Sequence, residues 1–219
     1  MNRYPSTRGD LPHIEYRFGA SESDPRVQES LEILMNVPEI MHRVIRAYGG
    51  RIVFFNGPLT DNPEFETWGG FKVPYNEYTW DEQPAVHHEP SKTSLVGVRG
   101  PYRFWDPRNA VHEEGHCFDY RTGELFYGRR RIGPGYSCIP KISTTRQFLE
   151  LMRIYTDIES RAKEILPGIP LTLENDPGEW FAHSFECHFD PSNETHRRIY
   201  PHFTEFFDEL EERIELKIQ

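Results

Sequence analysis

Apolar residues recur at helical spacing over most of this chain and gather into short runs at two places. From Pro25 to Tyr48, Val27, Leu31, Ile33, Leu34 and Met35 repeat in this way, and so do Ile40, Met41, Val44 and Ile45. Pro38 splits the stretch into two predicted helices, and Gly49-Gly50 stops the second. Arg51 to Phe55 (RIVFF) is short, β-branched and aromatic, which predicts a buried strand, and Ser94 to Val98 predicts another. Residues Leu59 to Pro90, rich in Gly, Pro, Asn and aromatics, read as a functional rim or as short strands joined by turns. A helix follows from about Arg108 to Tyr120, then a Gly- and Pro-rich loop from Arg121 to Lys141 with an Arg129-Arg130-Arg131 run. Thr144 to Ile165 is amphipathic. Asp176 and Pro177 form a helix start that leads into a helix to Phe189. A last helix runs from about Asn193 to Leu216, bent at Pro201. Helices with a small sheet predict an α+β fold.

Residues 1–24 are polar and punctuated by Pro and Gly, so they read as an N-terminal arm, with 25–219 as one domain. Apolar residues make up 37% of the chain, but aromatics reach 14%, and each aromatic buries enough area to build a core without staples. A net charge of −10 argues against nucleic acid as a partner. Three cysteines, Cys117, Cys138 and Cys187, make no disulfide framework. No apolar run is long enough for a membrane span, and the first residues, MNRYPSTRGDLPHIEYRF, hold no apolar signal region. The expectation is cytoplasmic residence, or export by a route that needs no such signal.

The chemistry concentrates in Val111 to Tyr120, VHEEGHCFDY. His112, Glu113 and His116 form an H-E-x-x-H motif. One turn apart on a helix, His112 and His116 project from one face and can share a zinc ion, and Glu113 is placed to take a proton from the water that zinc activates. Zinc hydrolases add a third protein ligand. Glu179, just inside the helix at Pro177 to Phe189, is the best candidate. His183 and Cys187 follow in line with it, one turn apart, a spacing open to a second metal or to plain core packing.

At these residues the chain resembles the catalytic domain of anthrax lethal factor and the related secreted Pro-Pro endopeptidases. Their H-E-F-G-H with a following Asp is similar to His112-Glu113-Glu114-Gly115-His116 and Asp119. Their E-x-F-A-x-x-F is similar to Glu179, Phe181, Ala182 and Phe185. Thr79 to Val86 resembles the family's T-W-D-D-x-P-G-V segment, and Ser94 to Val98 its edge strand beside the cleft. The resemblance covers about Gly50 to Phe189. It implies a zincin-like metalloprotease fold, Glu179 as third zinc ligand, and an extended polypeptide substrate held by strand addition along Ser94 to Val98. The family's oxyanion-stabilising Tyr corresponds here to Thr172, whose hydroxyl is no acid. Tyr120, Tyr127 or Tyr136 can stand in for it. His183 occupies a position where the family usually has Glu.

Together these features predict a zinc metalloendopeptidase, of a kind the resemblance associates with toxins and effectors, whose catalytic base is Glu113. Asp119 can accept the free N–H of a ligand imidazole. Tyr120, Tyr136, His183 and Trp80 are candidate oxyanion or substrate contacts; Tyr75, Tyr78 and His87-His88 join Trp80 as a rim or as core. Two alternatives remain open: a protease-like binding module without activity, and a zinc amidohydrolase acting on a non-protein amide.

Overall fold

The computed structural model describes residues 6–74, 77–102, 104–133, 136–165 and 176–218. Thr172 and Tyr75 lie outside these residues, as does the side chain of Tyr136. The fold is α+β: a four-stranded mixed sheet and seven α-helices among the described residues.

The sheet order is β1-β2-β4-β3, with β1 at His13–Arg17, β2 at Arg51–Asn56, β3 at Ala85–His88 and β4 at Thr93–Arg99. β1, β2 and β4 run parallel, and β3 is antiparallel to β4. The short RIVFF run is buried on both sides, as inner parallel strands require. Its alternation divides the core. Ile52 and Phe54 face the main helical core, while Val53 and Phe55 face a smaller cluster under the 57–84 segment with Leu59, Phe65 and Leu95.

Two expectations are corrected here. Residues 1–24 hold more than an arm: His13–Arg17 is an edge strand in register with β2, with Ile14 and Tyr16 packed against the core. Ser6 is pinned as well, its N–H donating to the Met35 carbonyl at 2.8 Å. And β4 is not the sheet's edge. It sits between β2 and β3, so both its sides are paired and the open edge beside the cleft belongs to β3.

Helices α1 (Pro25–Leu34) and α2 (Glu39–Ala47) are separated at Pro38 as expected. They pack on α3 (Asn109–Tyr127), which runs one to two turns past its predicted end at Tyr120. Arg121 to Gly123 read as loop, yet Arg121 is buried, bonded to Glu89 and to Glu124, and the helix continues to Gly128 at φ +65°. A hairpin of β5 (Arg130–Gly133) and β6 (Tyr136–Cys138) follows, within what read as loop. Then come α4 (Arg146–Ile165), α5 (Pro177–Phe189), α6 (Glu194–Ile199) and α7 (Pro201–Ile218). The bend expected at Pro201 is a full break between two helices. An aromatic core of Phe118, Phe148, Phe181, Phe185, Phe203 and Phe207 joins α3, α4, α5 and α7.

Candidate metal centre

Helix α3 lies between the sheet and α5. Its cleft side carries His112, Glu113 and His116, and the two imidazoles stand 5.0 Å apart by ring centroid. What brings Glu179 to them is a close helix crossing at Gly115. A Cβ there would meet the Ala182 Cα at 3.0 Å and the Phe185 Cβ at 3.3 Å, so only glycine admits this approach without a shift of α5 backbone. At the start of α5, Asp176 accepts the Gly178 N–H at 2.7 Å, Pro177 fills the first position, and Glu179 falls in the first turn, where the helix dipole favours a carboxylate.

The result is a ring of donors around a gap. His112 Nε2 is 3.5 Å from Glu179 Oε2, and His116 Nε2 is 3.4 Å from Glu179 Oε1. One ligand atom of each residue lies within 4.8 Å of the other two. Two ligands held at about 2.0–2.1 Å around one tetrahedral ion stand roughly 3.3–3.5 Å apart, so these separations match a shared cation better than direct hydrogen bonds. The donor set is the two-histidine, one-carboxylate set of catalytic zinc sites. The charges fit too. Burial opposes a charge on His112, but Glu179 and Glu186 outweigh it and push the imidazole up to about 10. The same imidazoles hold the Glu179 carboxyl well below the usual carboxylate range. Three carboxylates, Glu113, Glu179 and Glu186, thus surround two imidazoles, an excess of negative charge that suits a cation.

Glu113 is buried, which pushes its carboxyl pKa up against the pull of His116 and His112. The Ser94 hydroxyl of β4 donates to the Glu113 backbone carbonyl at 3.0 Å, which ties this turn of α3 to the sheet. The Gly97 N–H donates to the Pro84 carbonyl at 2.7 Å, which sets the phase of the β3–β4 ladder and turns the backbone groups of Ala85 and His87 to the outer edge. On that edge the Gln83 side-chain amide donates to the Ala85 carbonyl at 2.7 Å. A cleft of about 280 Å³ runs along it, lined by Gln83, Ala85, Val86 and His87 on one side and by the three donors, Glu113, Tyr120, Lys141 and Asp176 on the others.

The remaining predicted residues divide. Tyr120 faces the cleft, and the Lys141 ammonium sits 4.4 Å over its ring. Burial works against the Lys141 charge, but Tyr120, Asp119 and Asp176 overcome it and raise the pKa. Asp119 does not hold a ligand imidazole: its two oxygens accept from the Ser143 N–H at 2.7 Å and the Ser143 hydroxyl at 2.6 Å. Three residues beyond His116 on α3, it faces the 142–144 turn rather than the cleft. The carboxylate that meets the outer nitrogen of a candidate ligand is Glu186, whose Oε2 is 3.1 Å from His112 Nδ1. It lies two turns after Glu179 on the same face of α5, the one signal that sequence spacing offered. Trp80 packs against Phe65 and Trp68 in the smaller core cluster, and His183 turns to Glu186 and Cys187. Neither is among the described residues that line the cleft. Lys141 and Gln83 were not expected at all; neither carries a motif, and both arrive through loop packing.

No protein-family model matches this chain, and no curated protein matches it in sequence. Among solved structures it is similar to the Pro-Pro endopeptidase PPEP-2 from Paenibacillus alvei, with a TM-score of 0.61 over 90% of this chain and 96% of that one, at 16% identity. The likeness shows the fold alone. No helix among the described residues is long and apolar enough to cross a membrane.

Proposed function

We propose that this chain is a zinc-dependent endopeptidase. The observation that carries the reading is the gap of one ion's size between His112, His116 and Glu179, opening on the cleft beside the outer edge of β3. Zinc held by these residues would supply a Lewis acid for the scissile carbonyl and for the attacking water. Glu113 takes the water's proton and delivers it to the leaving amine; burial raises its carboxyl pKa, the direction that favours holding the proton between the two transfers. An extended peptide pairs with the outer edge of β3 at Ala85, displacing the Gln83 amide from the carbonyl it now occupies. Tyr120 and Lys141 face the same cleft and can meet developing negative charge, the task for which Thr172 is unsuited.

Metal content measured by mass spectrometry tests this first. Wild type is expected to hold at least one zinc per chain, and Glu179→Ala one fewer than wild type. Glu113→Gln should keep the metal yet cut peptide-library hydrolysis by about 10²–10⁴-fold. Wild type that takes up no zinc at equimolar metal would overturn the reading.

A further inference from the structure

Beyond the cleft, α5 carries a second convergence of metal-binding atoms. Glu179, His183, Glu186 and Cys187 share one face of this helix. His183 Nε2 is 3.6 Å from Cys187 Sγ, and His183 Nδ1 is 3.9 Å from Glu186 Oε2. One donor atom from each of the three lies within 4.8 Å of the other two. One imidazole lends one nitrogen to one ion: through Nδ1 the separations are 4.0 Å to Cys187 Sγ and 3.9 Å to Glu186 Oε2, about half an ångström beyond the roughly 3.5 Å that a sulfur and a nitrogen keep on one tetrahedral zinc.

We propose that His183, Glu186 and Cys187 form a second metal site, for a thiophilic divalent cation such as zinc, separate from the cleft donors although Glu186 also touches His112. The surroundings of Cys187 set it apart from an inert core thiol. Its sulfur accepts a hydrogen bond from the Asn193 side-chain amide at 3.0 Å; burial and Glu186 push the thiol up to about 12, so the thiolate forms only as a cation arrives. Its neighbours include an imidazole and a carboxylate, while Cys117 on α3 lies in the apolar core. The sulfur, nitrogen and oxygen donors favour zinc or cadmium over magnesium or calcium. Access is open through His183, whose side chain is a third exposed. On binding, the Cys187 thiol proton leaves to solvent and the thiolate becomes a ligand, so a dication, a thiolate and a carboxylate balance in charge. Arg108 stands 3.6 Å from Glu186 and is already paired with Asp106, so it opposes the site only in part.

Cobalt titration of the metal-free full chain tests this, because a thiolate ligand adds a sulfur-to-cobalt charge-transfer band in the near ultraviolet. The expected result is about two cobalt ions per wild-type chain with the band present. Cys187→Ser should lose the band and one ion. Cys138→Ala should keep both. Glu179→Ala should lose one ion and keep the band, which separates the two sites. If the cleft reading fails, Glu179→Ala binds as wild type does and the band is unaffected. His183→Gln, at a partly exposed position, weakens the band at least tenfold in cobalt affinity and guards against misfolding of the cysteine variant; circular dichroism confirms the fold of each. No band in wild type, or an unchanged band in Cys187→Ser, overturns the proposal.

Discussion

Helix α3 presents histidine–glutamate groupings on two sides, and they differ in one respect. On the core side, Glu114 meets His42 of α2 directly, with Oε1 2.6 Å from Nδ1, while His42 Nε2 faces the Leu34 carbonyl at 3.2 Å. Both residues are fully buried. On the cleft side, His112 and His116 approach Glu179 no closer than 3.4 Å, and Glu179 is half exposed. The first set is drawn into direct contact and holds α2 to α3 through one carboxylate oxygen, Oε1 of Glu114. The second leaves a space among its donors. Identical residue types thus form a structural tie in one place and a candidate ligand set in the other, and the distances tell them apart. The two glutamates are adjacent in sequence, yet about 100° apart around the helix, which sends Glu113 to the cleft and Glu114 to the core.

That contrast can be broken from either side. The largest effect is expected from His42→Ala, which strands Glu114 in the core and should cost about 3–5 kcal/mol of stability in urea unfolding, with zinc per folded chain unchanged. If that variant lost its metal at full stability, the division of roles would be wrong. Gly115→Ala should act on both sets, because a methyl group must displace α5 backbone: about 1–3 kcal/mol of stability and a weaker metal site, read by unfolding and by zinc titration. Glu186→Gln should leave stability near wild type but weaken zinc binding about 10–100-fold in competition with a chelator. The smallest effect belongs to Glu179→Ala in metal-free protein, where loss of a half-exposed carboxylate should change stability by about 1 kcal/mol or less.

Much of this was legible in the sequence because local rules determine it. The α5 start at Asp176-Pro177 follows capping chemistry, and the helix ends at Phe189 as periodicity predicts. His112, His116 and Glu179 were identified from spacing and resemblance, and the fold brings them together. What stayed hidden depends on partners distant in sequence. Glu186 was one more acidic residue until α3 placed His112 against it. Asp119 had the right spacing for His116, but Ser143 claims it. β1 does alternate, with Ile14 and Tyr16 turned to the core between His13, Glu15 and Arg17, but five residues between Pro12 and Gly19 were too short a run to stand out from the polar segment around them. Arg121 looked like a loop residue and is buried, since no rule of periodicity foresees two carboxylates waiting for it.

The carboxylate of Glu186 touches His112 on one side and faces His183 on the other. One group shared between two places makes their occupancies thermodynamically linked. If charge arriving near His183 draws on Glu186, His112 loses part of its support, and the reverse holds by the same factor, since a coupling free energy between two binding events is reciprocal. The chain would then respond to metal supply with a graded curve rather than a single threshold.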